Sequence, residues 1–302
     1  MNMACGLELS CEVKVTESDG HMAIEITRQQ ASCGAAIRGI DLRHELTPRE
    51  VIEIRVAWLE HQVVAFPDQP MEITDIERFA TYMGPNGEDP YIEAIAGHPR
   101  VVQVKREPDE KAPIFAETWH SDWSFLKRPP AATVLYGNMI PPLGGDTMFA
   151  NQYAAWEGLS GSMKALLKDK MAIHSARKGY AKDGMYGERD KGRSMAIRYG
   201  DSALKTQLHP LARPHTETGR LALYVSPGYT IGIDGIPDDE AVPLLKELYA
   251  HQAKPEYLYR HTWSQGMLLM WDNRSVIHAA TGGYEGHRRL LHRITVADRT
   301  LQ

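Results

Sequence analysis

The sequence predicts a mainly β fold with flanking helices, and three observations carry that prediction. Short apolar runs recur at 101–104, 132–136, 221–225, 267–271 and 290–296, with glycine or proline turns between them, the rhythm of a strand-rich core. Helical spacing is confined to a few capped stretches among those runs. The chain of 302 residues also contains no internal repeat, low-complexity tract or dividing linker. Residues 23–302 are therefore expected to form one domain.

Taken in order, residues 1–22 are polar and patternless and read as a flexible tail. Thr47-Pro48-Arg49-Glu50 supplies a capping box with proline at the first helical position. Val51, Ile54, Trp58 and Leu59 then follow at helical spacing. Gln62 to Phe66 reads as a short buried strand that Pro67 ends. Thr74 with Glu77 repeats the capping logic, and Gly84 supplies a stop. The stretch 178–193 is rich in glycine and charge without periodicity, a long loop of the kind that closes over sites. A last helix is expected over 238–252.

A formal net charge of −5 and a pI near 6.2 argue against nucleic-acid or anionic-membrane partners and for small molecules. Cys5, Cys11 and Cys33 are too few and wrongly spaced for a disulfide framework or a thiolate metal site, so they read as reduced thiols. The N-terminus lacks the basic and apolar regions of a signal peptide, and no apolar run approaches the length of a membrane span. A cytoplasmic location is the expectation.

The most informative segment is Thr118-Trp119-His120-Ser121-Asp122-Trp123. On extended backbone, side chains two apart share a face, so His120 and Asp122 can offer an imidazole and a carboxylate to one ion. His278, just past the apolar run 267–271, is the candidate third ligand. Two histidines and one carboxylate leave three coordination positions open, as non-haem iron(II) oxygenases require. The plainer alternative is a histidine and an aspartate bonding each other in a polar core. His215-Thr216-Glu217 repeats the spacing within a turn composition and reads as a solvated hairpin tip.

WHSDWSF (119–125), GGDTMFAN (144–151), WDNRSVIHAA (271–280) and HRRLLHRIT (287–295) occur in that order. Together they resemble the TauD/TfdA family of Fe(II)/2-oxoglutarate-dependent dioxygenases, and the segment 34–69 resembles that family's opening. The resemblance implies a double-stranded β-helix, a jelly-roll barrel with flanking helices, as the catalytic domain. It implies His120, Asp122 and His278 as iron ligands and Arg289, eleven residues after His278, as the arginine that grips the distal carboxylate of 2-oxoglutarate. Thr147 matches the threonine that bonds the same cosubstrate, and Arg293 the residue that meets an anionic group of the prime substrate. The chemistry suits these residues, because a guanidinium fork grips a carboxylate bidentately and stays charged. Read without the resemblance, Arg289 and Arg293 are outward strand charges, Thr147 belongs to a turn, and Trp119, Trp123 and Trp271 are core. Arg288 and His292 are expected at the surface or behind the site.

The reaction implied couples decarboxylation of 2-oxoglutarate to succinate, with O2 as the second cosubstrate, to hydroxylation of a small anionic substrate. Phenoxyalkanoates, alkyl sulfates, sulfonates and other carboxylates are the classes considered, with cleavage where the attacked carbon bears oxygen or sulfur. Ala116 stands where the taurine enzyme has a substrate-contacting asparagine, and Asp89 aligns with its substrate histidine, so taurine itself is disfavoured. The family also implies a homodimer or homotetramer. The rival readings are a mononuclear zinc hydrolase, which the same three ligands suit, and a degenerate jelly-roll binding module.

Overall fold

The computed structural model describes residues 24–301; the tail expected over 1–22, with Cys5 and Cys11, lies outside the described residues. The main sheet has eight strands, in the order Glu25–Arg28, Ala35–Arg38, Val63–Phe66, Leu268–Asp272, Ala132–Met139, Arg289–Val296, His98–Arg106 and Ala94–Ile95. All its pairs are antiparallel except Ala35–Arg38 with Val63–Phe66.

Alternation along these strands makes two apolar faces. Val64, Phe66, Val134, Tyr136, Leu268 and Met270 pack against Ile54 and Trp58 of the helix Pro48–His61 and Ile76 and Phe79 of the helix Ile73–Met83. Phe66 and Phe79 meet edge to face at 5.4 Å, worth roughly 0.5–1.5 kcal/mol beyond the area they bury. On the opposite face Val63, Ala65, Leu135, Leu269, Trp271 and Leu291 pack against Phe149, Tyr259 and Val276. These last three belong to a second sheet of Leu258–His261, Thr147–Asn151 and Val276–Ala280. Two facing sheets with helices outside are the jelly roll the resemblance implies. The barrel is not closed, however: among the described residues no strand ladder joins the two sheets. The segment around His120 that lies between them turns too sharply to pair beyond one residue.

A further sheet of Thr230–Ile233, Met171–Ser175 and Thr206–Pro210 lies alongside. The helix Asp238–Gln252 packs next to it, through Ala241, Leu245 and Leu248.

The elements follow the sequence closely, with three differences. The Thr47 cap forms as expected: its hydroxyl accepts from the Glu50 amide, and Glu50 returns to the Thr47 amide at 2.7 Å. The second helix instead begins at Ile73, with Asp75 accepting from the Glu72 amide, so Thr74 is inside it and Glu77 pairs with His98 at 3.0 Å. Gly84 does end that helix, and a Cβ there would stand 2.8 Å from Val296 Cγ1. The run 221–225 pairs only over Leu221–Leu223. The loop 178–193 overlaps a helical turn, Arg177–Tyr180, and continues as stacked turns rather than open coil.

Candidate metal centre and substrate cavity

His120 and His278, far apart in sequence, exchange two backbone hydrogen bonds, of 3.0 and 2.8 Å. After this rung the chain turns at Asp122, so the extended backbone expected for 118–123 is short, and Ala116 and Trp123 take left-handed φ values of 63° and 47°. Non-glycine residues in that region cost roughly 1–3 kcal/mol each and collect at functional sites. The result brings one ligand atom from each of His120, Asp122 and His278 within 4.8 Å of the others. His120 Nε2 lies 3.5 Å, and His278 Nε2 3.8 Å, from Asp122 Oδ1.

Each side chain is prepared for a cation. His120 Nδ1 donates to the Thr118 carbonyl at 2.7 Å, which leaves the Nε2 lone pair free. His278 Nδ1 has no partner, and its ring is held by Trp271 at 4.7 Å and Phe149 at 5.9 Å. Burial pushes the His278 imidazole down to about 3, with His120 and Arg293 adding to the fall, so it is neutral. Burial alone would raise the Asp122 carboxyl, but Arg293, His278 and His120 outweigh it and hold the group well below the usual carboxylate range. Two imidazoles and a carboxylate, all buried, are a donor set that fits a divalent iron with open positions.

Arg289 is buried, donates from Nη2 to the Gly145 carbonyl at 3.0 Å, and leaves Nε without a partner. Among the described residues no carboxylate forms an ion pair with it, and burial lowers its pKa. A buried guanidinium in that state is costly unless an anion joins it. Thr147 Oγ1 accepts from Trp263 Nε1 at 3.0 Å, so its own proton is free to donate. The Trp263 ring reaches the Arg289 guanidinium at 6.0 Å, which ties these two expected residues into one corner. Gly145 there has φ 71°, and a Cβ on it would stand 3.1 Å from Arg289 Nε.

Above the triad opens a cavity of about 600 Å³, counting its mouth, walled by Phe115, Trp123, Tyr180, Tyr186 and Tyr229. Arg293 lines its base, 3.2 Å from Asp122 Oδ1 and 3.5 Å from Asp89 Oδ1, with its face 4.9 Å from the Trp123 ring. Neither contact has hydrogen-bond geometry, so Nη2 keeps protons to offer. Lys178 also lines the cavity and donates to the Pro227 and Thr230 carbonyls at 2.8 and 2.7 Å.

The model of the family described as taurine catabolism dioxygenase TauD, TfdA family, matches residues 25–295. The chain belongs to the TauD/TfdA family. It is 32% identical over 281 residues to the alpha-ketoglutarate-dependent 2,4-dichlorophenoxyacetate dioxygenase of Cupriavidus pinatubonensis, covering 87% of this chain and 94% of that one. An alkylsulfatase of Acinetobacter baylyi is 29% identical over 91% of this chain and 85% of its own. Among solved structures, AAD-2 in complex with Mn(II) and N-oxalylglycine superposes with a TM-score of 0.74 at 29% identity, covering 91% of this chain and 98% of that one.

His215 is not at a solvated tip: it is 3% exposed, and its Nε2 meets Asp272 at 3.0 Å. Its Nδ1 accepts from the Glu217 and Thr218 amides, so Nε2 carries the proton and the imidazole is a structural donor. The buried Asp272, also paired with Arg274 at 2.7 Å, requires that partner. Trp271 is core as expected. Trp123 is equally buried but walls the cavity and donates to Asp89 at 3.0 Å. Arg288 is exposed and pairs with Glu107, whereas His292 is buried. Lys178 and Tyr186 come from the loop 178–193 expected to close over a site, but spacing gave no notice of Trp263 or Tyr229, nor of Thr133, which donates to Asp122 Oδ2 at 2.6 Å. These are brought in by register and turns rather than by motif. Among the described residues no helix is long and apolar enough to cross a membrane.

Proposed function

We propose that the protein is a 2-oxoglutarate-dependent dioxygenase that hydroxylates a small anionic organic substrate, with release of succinate and CO2. The observation that carries this reading is the convergence of three ligand atoms within 4.8 Å, beside an aromatic cavity that His120 and Asp122 line. On this reading His120 Nε2, Asp122 Oδ1 and His278 Nε2 hold Fe(II). When bound, the iron and 2-oxoglutarate supply the O2-activating redox chemistry, which no protein side chain provides.

The chain's own residues bind, orient and exclude water. The Thr118 carbonyl holds the His120 proton on Nδ1 and keeps the other nitrogen turned to the ion. Arg289 grips the distal carboxylate of 2-oxoglutarate, while the free Thr147 proton donates to the same group; charge-assisted bonds of this kind are roughly twice as strong as neutral ones. Trp263 and Tyr284, 6.0 and 5.7 Å from the Arg289 guanidinium, shield that pair from water. Arg293 meets the substrate's anion, and Trp123, Tyr186 and Tyr229 bracket its organic body near the ion, where orientation lowers the barrier.

The relatives act on 2,4-dichlorophenoxyacetate, phenoxypropionate and sulfate esters, and a phenoxyalkanoate, alkyl sulfate, sulfonate or other carboxylate is the substrate class inferred here. Ala116 and Asp89 stand where the resemblance places the taurine enzyme's substrate contacts, so taurine itself is disfavoured. A hydrolase would need a water-activating base, and Asp122 is the single acidic residue that lines the cavity among the described residues. The same reading takes residues 23–302 as one catalytic domain, working in the cytoplasm as a homodimer or homotetramer.

Succinate release with Fe(II), ascorbate and a panel of these anions tests the reading. The best substrate should lose at least about tenfold in KM-based affinity in Arg293→Ala, as for loss of a buried charged contact. Unchanged affinity removes Arg293 from the substrate site. Turnover that depends on zinc and ignores 2-oxoglutarate removes the dioxygenase.

A further inference from the structure

We propose that Trp271, Asn273 and Thr133 form a one-way hydrogen-bond relay that positions Asp122 as a single-oxygen ligand, with Oδ1 alone turned to the metal. The inference rests on the reading of Asp122 as a metal ligand and adds three positioning residues behind it.

The direction of the relay follows from donor and acceptor chemistry. An indole N–H can only donate. Trp271 Nε1 lies 2.9 Å from Asn273 Oδ1, which sets the amide's orientation and turns Nδ2 away. Asn273 Nδ2 then donates to Thr133 Oγ1 at 2.9 Å. A hydroxyl that accepts there has one proton left, and Asp122 Oδ2 stands 2.6 Å away to receive it. That length is typical of a hydroxyl donating to an ionised carboxylate.

Burial makes the relay binding rather than optional. Thr133, Asn273, Asp122 and Trp271 are each 2% exposed or less, so no bulk water replaces a missing partner. The backbone holds the same arrangement. Trp271 and Thr133 face each other in register across the main sheet, and the Asn273 amide bonds the Ala131 carbonyl at 2.8 Å. With Oδ2 occupied, Oδ1 is the oxygen near both Nε2 atoms, at 3.5 and 3.8 Å. Arg293 approaches Oδ1 at 3.2 Å without hydrogen-bond geometry, which leaves its lone pairs free. Trp271 braces a second ligand as well, since its ring packs on His278. One side chain thus steadies two of the three ligands.

The test is titration of the metal-free full chain with Mn(II) by calorimetry, with thermal unfolding of each apo variant recorded alongside. Thr133→Val, which keeps the shape and removes the hydroxyl, should bind Mn(II) about 10- to 100-fold more weakly, the usual effect of losing an outer-shell partner. Thr133→Ser should restore affinity. Asn273→Ala should also weaken binding, and the double variant should bind no more weakly than Thr133→Val, because both changes break one chain. The visible absorption of the Co(II) form should shift in Thr133→Val and not in Thr133→Ser, which a merely structural role for the threonine would not produce. If Thr133→Val fails to fold, Asn273→Ala carries the same comparison with the threonine intact. Parental binding matched by Thr133→Val and by Asn273→Ala overturns the relay alone. A parent that binds no divalent ion overturns the functional reading and the relay with it.

Discussion

Arg289 is the residue whose role is most exposed to a simple exchange. Its guanidinium is buried, bonds one carbonyl and keeps Nε unpartnered, so a lysine cannot reproduce the planar fork. Arg289→Lys should raise the KM for 2-oxoglutarate on the order of 10- to 100-fold, the cost of a lost bidentate charged pair at roughly 1.5–3 kcal/mol, while leaving the prime-substrate KM nearly unchanged. Steady-state succinate release with each substrate varied in turn checks this, and an unaltered 2-oxoglutarate KM sinks the assignment. The metal cluster was legible because His120, Asp122 and His278 sit in ordered words of sequence, and the same words suggested the roles proposed for Arg289 and Thr147. Their environments were not. His215 has the composition of a turn and does form one, yet the turn folds inward because Asp272 and Arg274 need partners there. Thr133 carried no signal at all, since what makes it matter is the residue across the sheet from it.

Among the elements, the wall formed by 177–193 is the one that sequence described least well. Absence of periodicity reads as open coil, but the segment closes on itself through amide bonds such as Met185 to the Lys178 carbonyl and Tyr186 to the Gly179 carbonyl. Two of its glycines, Gly184 and Gly187, are tightly packed: a Cβ on Gly187 would stand 2.2 Å from the Lys182 carbonyl oxygen. Gly187→Ala should therefore push the wall outward, exposing Tyr186 and raising the prime-substrate KM several-fold, with the KM for 2-oxoglutarate and metal affinity held. Parallel titrations of the three ligands decide it, and an equal loss of all three would mean global damage instead. The capping box at Thr47 was legible because its bonds are local; the second helix slipped by two residues because Asp75 caps it better than Thr74 does. Helix ends are commonly shifted by such competition.

At the scale of the whole molecule, the recurring apolar runs announced a strand-rich core with helices outside it, and the structure places helices on one face of the main sheet and a second sheet on the other. Which strands pair was beyond the pattern, because the sheet order follows long-range register. The folded molecule also hides histidines that titrate freely when it unfolds. Burial pushes His174 down to about 3 and His209 and His261 to about 4, against about 6.5 in an unfolded chain. Folded values below unfolded ones mean their stabilising share is complete above pH 6.5 and declines as pH falls toward 4. Each of these three takes up a proton on unfolding there, worth about 1.4 kcal/mol per pH unit. The Tm of the metal-free protein should drop steadily between pH 6.5 and 4.5; a flat calorimetric profile across that interval would exclude neutral buried imidazoles. The rung between His120 and His278 has a different bearing. It is made of peptide groups alone, so the cup's rim is stitched by atoms every amino acid possesses. Recognition and chemistry are therefore separable in this scaffold: the imidazoles can be traded for other donors without undoing the seam that brings the two ends of the site together.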